Sequence, residues 1–140
     1  MARLANRSQL MDYLGAKQKN TVWSWCAVNE EERKVYLSVW MDTRAKRDGV
    51  RVSYVIQEPD WGIDPTTGSK SAARKDQDEK LSLIFDEGYE AYGYFIEAKD
   101  TKANPREIES TSTTFIFSFD LERQPDGSIL GYPKARIEIR

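Results

Sequence analysis

The chain has 140 residues, 39% of them hydrophobic and 31% charged, with a formal net charge of −2, no histidine and one cysteine. Such a length and composition exclude a disordered chain and fit a single domain spanning residues 1–140 with a core of its own. Without histidine there is no Ser-His-Asp or Cys-His pair, no histidine metal site and no HNH metal centre, and the near-balanced charge leaves only a local patch for binding nucleic acid.

Ser8 caps a predicted short helix whose stripe of Leu10, Met11 and Leu14 ends at Gly15. Val22 to Val28 and Lys34 to Trp40 are rich in aromatic and β-branched residues, and the polar run Asn29 to Arg33 between them predicts a hairpin. In the second arm Val35, Leu37 and Val39 alternate with Tyr36, Ser38 and Trp40, the period-two pattern of a strand. Val52 to Ile56 repeats that pattern. Glu58 to Gly68 holds too much proline and glycine for a regular element and reads as a loop, with Trp61 in it.

Ser69 or Ser71 then opens a longer helix with Leu81, Ile84 and Phe85 at helical spacing and Gly88 as its stop. Glu90 to Ala98 reads as a strand, Lys99 to Arg106 as a loop, and Thr113 to Leu121 as another strand. A turn at Gln124 to Gly127 leads to the alternating Ala135 to Ile139. The expectation is an α+β fold: a mostly antiparallel curled sheet or small barrel of about six strands, with two helices packed on it.

No apolar run approaches the roughly 18 residues that cross a bilayer, and Met1 to Arg7 lacks a signal-peptide core, so no membrane partner is expected. A lone Cys26 cannot form an internal disulfide, which agrees with a cytoplasmic location, and between strand residues it reads as a core position. Neither a Walker A run nor a dinucleotide fingerprint is present, and no cofactor or bound metal is expected. These absences favour binding over catalysis. One catalytic alternative stands apart: Pro59-Asp60 with Glu97-Ala98-Lys99 resembles the PD-(D/E)xK signature, in which two acids hold a divalent cation and the lysine steadies the attacking water.

Of the four tryptophans, Trp23, Trp25 and Trp40 fall in the first predicted hairpin and Trp61 in the loop. Indole faces stack planar bases, at about 1–3 kcal/mol per base. Close in sequence run Arg44, Lys46, Arg47 and Arg51, and Lys70, Arg74 and Lys75 surround the start of the longer helix; such cations hold phosphates. Buried packing of the indoles and ordinary solvated turns account for either group taken alone. Their coincidence is what points to nucleic acid.

Val22-Trp23-Ser24-Trp25-Cys26-Ala27-Val28, Val35 to Trp40, and Ala98-Lys99-Asp100 through Pro105-Arg106-Glu107-Ile108 resemble an accessory, non-nuclease domain fused to bacterial HNH endonucleases in defence and mobile-element proteins. This chain departs from that pattern at Cys26, where the family has glycine, and at Glu97, where it is generally apolar. The resemblance covers most of the chain. It implies the recognition part without the nuclease: a PUA-like DNA-binding module, by analogy a reader of modified bases. The candidate binding residues are therefore Trp23, Trp25, Trp40, Trp61, Arg44, Arg47, Arg51, Arg74 and Arg106. The expected partner is DNA, or a separate effector protein, with the chain a monomer or homodimer. A protein-interaction or small-ligand module built from the same aromatics is the alternative reading.

Overall fold

The computed structural model describes residues 7–18, 26–47, 51–99, 102 and 108–139. Helix α1 (Arg7–Leu14) is followed by β1 (Cys26–Asn29), β2 (Lys34–Trp40), a 3-10 turn (Met41–Thr43), β3 (Ala45–Arg47) and β4 (Arg51–Gln57). Helix α2 (Ala72–Glu87) precedes β5 (Glu90–Ala98), β6 (Ile108–Thr111), β7 (Phe115–Arg123) and β8 (Ile129–Glu138). Local chemistry sets both ends of α2: the Ser71 side chain accepts from Arg74 N–H, and Gly88, at φ 76°, donates its N–H to the Leu83 carbonyl.

The strands form one curled sheet in the order β1-β2-β5-β7-β8-β4-β3, with β6 pairing β5. Among the described residues all pairs are antiparallel except β2 with β5, which run parallel from Lys34↔Glu90 to Trp40↔Ile96. The class expected from the sequence is the one found, α+β with a mostly antiparallel curled sheet and two helices. Among the described residues the sheet does not close, and β1 and β3 are its two ends. Thr43 ties the end of β2 to β4, donating its hydroxyl to the Trp40 carbonyl at 2.8 Å and accepting from Val55 N–H at 3.2 Å.

Strand alternation divides the core in two. On the concave face Cys26, Val28, Val35, Leu37, Val39, Phe95, Tyr54, Ile56, Phe119 and Ile129 pack together, and α2 adds Leu81, Leu83, Ile84 and Phe85. The convex face carries Tyr36, Tyr92, Tyr94, Ile96 and Ile116, covered by Leu10 and Met11 of α1. β5 is consequently buried on both sides from Ala91 to Ile96. Curvature is helped at Gly93, where a Cβ would stand 2.5 Å from Phe119 Cε2.

The strand expected over Val22 to Val28 falls in part on residues 22–25, which lie outside the described residues; its described part belongs to β1 (Cys26–Asn29). β3 and β6 are additions, three and four residues long, and β8 starts at Ile129 rather than Ala135. Pro133 is accommodated in β8 beside the irregularity between Ser118 and Phe119, where the ladder is already interrupted.

Candidate nucleic-acid interface

The strand directions separate the candidate residues into two groups. β2 and β5 finish, and β4 and β7 begin, at one end of the sheet. Here lie Trp40, closing β2, and Arg44, exposed just after the 3-10 turn. Arg47 and Arg51 are backbone partners in the β3–β4 register, as are Lys46 and Val52. Trp40 is half-buried against the convex-face cluster under α1.

Trp61 and Arg74 belong to the opposite end, past the carboxy terminus of β4. Arg74 is buried, 8% exposed, with Nη1 donating to the carbonyls of Trp61 at 2.6 Å, Pro59 at 3.2 Å and Glu58 at 3.4 Å, and Nε to Asp78 Oδ1 at 3.1 Å. Its guanidinium thus fastens the 58–62 loop to α2. Gly62, at φ 70°, lets the two approach: a Cβ there would meet Arg74 Cβ at 2.7 Å. Trp23, Trp25 and Arg106 lie outside the described residues.

Next to the cationic end stands an aromatic cluster that the sequence reading did not single out. Phe95, Phe115 and Phe117 meet edge to face or tilted, with centroids 5.6–6.0 Å apart, and both Phe115 and Phe117 remain half-buried. Arg136, on neighbouring β8, lies with Cζ 4.0 Å over the Phe115 ring. The signal was present as the alternation Phe115-Ile116-Phe117, which places both rings on one face, and as the polar positions of the last strand.

The remaining charged clusters have structural partners. Asp78 gathers Lys70 Nζ at 2.8 Å, Gln57 Nε2 at 3.2 Å and Arg74. Partial burial would raise its carboxyl pKa, but the hydrogen bonds from Lys70 and Gln57 and the Arg74 charge outweigh that and hold it below its usual value. Asp76, fully buried beneath β1, sits with Oδ1 3.1 Å from Lys80 Nζ, a contact without hydrogen-bond alignment, and Oδ2 3.9 Å from Cys26 Sγ. Burial, reinforced by the Asp76 carboxylate, pushes the Cys26 thiol far above its ordinary range, so it is not a poised nucleophile. β4 and β5 run in opposite directions, so Asp60, beyond β4, and Glu97, near the end of β5, fall at opposite ends of the sheet. Among the described residues no group of three acidic, cysteine or histidine side chains could hold a metal ion. No helix among them is long and apolar enough to cross a membrane. Comparison with protein-family models, curated proteins and solved structures finds no match to this chain.

Proposed function

We propose that this chain is a nucleic-acid-binding module that engages its ligand at the end of the sheet formed by β3, β4, β7 and β8. The observation that carries the reading is the presence, at that end, of the half-buried Phe115 ring beneath Arg136, braced by Phe117, together with the stretch of chain that carries Arg44, Lys46, Arg47 and Arg51. Aromatic faces beside cations are the two elements a base and its phosphate require. Trp40 lies at the same end but packs on the opposite face of the sheet. Resemblance to the domain associated with HNH endonucleases agrees with this role and supplies the more specific form of it, a PUA-like reader of DNA with modified bases among its ligands.

The test is equilibrium titration with short oligonucleotides, unmodified and cytosine-modified, at low and moderate salt. Saturable binding that weakens with salt, and weakens further in Arg44→Ala, is expected. No response to any oligonucleotide would overturn the proposal.

A further inference from the structure

Resting on that reading, we infer that Arg136 and Phe115 form a stacking platform for one unpaired base, making single-stranded nucleic acid the preferred ligand. Arg136 is half-exposed, and its Nε is engaged by Glu138 Oε1 at 2.5 Å. The Glu138 carboxylate offsets the guanidinium charge and repels phosphate, so Arg136 offers its flat face more than its charge. Phe115 beneath it is braced by Phe117 at 5.7 Å and 89°, and by Phe95 at 6.0 Å.

A second arginine-on-phenylalanine contact provides a contrast. Arg123 lies 4.0 Å over Phe85 and joins β7 to α2, a tie between separate elements. Arg136 and Phe115 stand on strands already hydrogen-bonded to each other from Phe115↔Glu138 to Arg123↔Ile129, so their contact joins no additional element. Guanidinium planes and aromatic rings stack on splayed-out bases, whereas bases within a duplex present only their edges. An unpaired base is therefore the chemical group this platform fits.

The experiment measures fluorescence anisotropy of the full chain with three oligonucleotides of equal length: a single strand, its abasic counterpart, and a hairpin duplex. Wild type, Arg136→Lys and Arg44→Ala are compared, with circular dichroism and melting confirming that each is folded. Arg136→Lys keeps the charge and removes the planar face. The expected result is a loss of about ten-fold in single-strand affinity on removing the bases or on Arg136→Lys, with the abasic strand indifferent to Arg136→Lys. Arg44→Ala should weaken all three ligands alike. Equal binding of the three ligands, or an unaffected Arg136→Lys, would overturn the platform while leaving nucleic-acid binding intact; absence of binding to all three would remove both.

Discussion

Gly93 of β5 lies against the ring of Phe119 on β7 so closely that an added Cβ would stand 2.5 Å from Phe119 Cε2 and 2.9 Å from Val39 Cγ2. Phe119 itself is buried at the centre of the concave core, so the ring has no free volume to retreat into. Gly93→Ala should destabilise the fold by about 1–3 kcal/mol through overpacking. Urea denaturation would read this as a lower midpoint at unchanged slope; an unaltered midpoint would show that the sheet relaxes around the methyl group.

Arg74 is expected to act on stability and not on ligand affinity. Arg74→Ala strips three loop carbonyls and Asp78 of a buried donor, at a cost of about 1–3 kcal/mol. Oligonucleotide affinity of the folded fraction should match wild type, because the guanidinium faces the loop at the far end of the sheet from Arg136. A large affinity loss in a fully folded Arg74→Ala would place the ligand elsewhere.

The lowered Asp78 carboxyl gives a pH dependence of defined sign. With a folded pKa below the unfolded 3.8, the unfolded state takes up the proton first as pH falls. The contribution is fully present above 3.8 and is lost as pH drops through the folded value. Comparing acid denaturation of wild type and Asp78→Asn should show a stability difference that shrinks below about pH 4. A difference that stays constant on acidification would remove Asp78 as its source.

Cys26 should resist thiol reagents in the native state. It is fully buried under α2 with its pKa driven upward, first by burial and then by Asp76. Labelling with a chromogenic disulfide is expected to be slow in buffer and rapid in denaturant, with a native rate that follows opening of the α2 seat. Rapid stoichiometric labelling of folded protein would contradict that burial.

The parts of this fold legible in the sequence are those whose determinants are local. β2 shows period-two alternation, and α2 is bounded by Ser71 and Gly88, residue types whose side chain or φ creates the cap. β3 and β6 are too short to carry a pattern; they exist because β4 and β5 offer them hydrogen bonds, a relation between distant segments. The first half of β8 is disguised by Gly131 and Pro133, and the parallel β2–β5 register has no local signature. The same division holds for the site. Trp40, Arg44, Arg47 and Arg51 share one stretch of chain and arrive together. Arg74 resembles a surface cation in sequence, and only the approach of the 58–62 loop turns it inward. Phe115 and Arg136 come into contact through the pairing of β7 with β8, which neither segment specifies alone.

The parallel ladder between β2 and β5 also orders events during synthesis. Hairpins β1–β2, β3–β4 and β7–β8 join neighbouring segments, whereas β2 finds its second partner only after α2 and β5 have left the ribosome. Until then one whole side of β2, apolar on both faces, offers unpaired amides to any passing strand. A nascent chain halted before Glu90 is accordingly expected to recruit chaperones or self-associate, and release of the last fifty or so residues to relieve it, a sequence that ribosome-stalled fragments of increasing length would reveal.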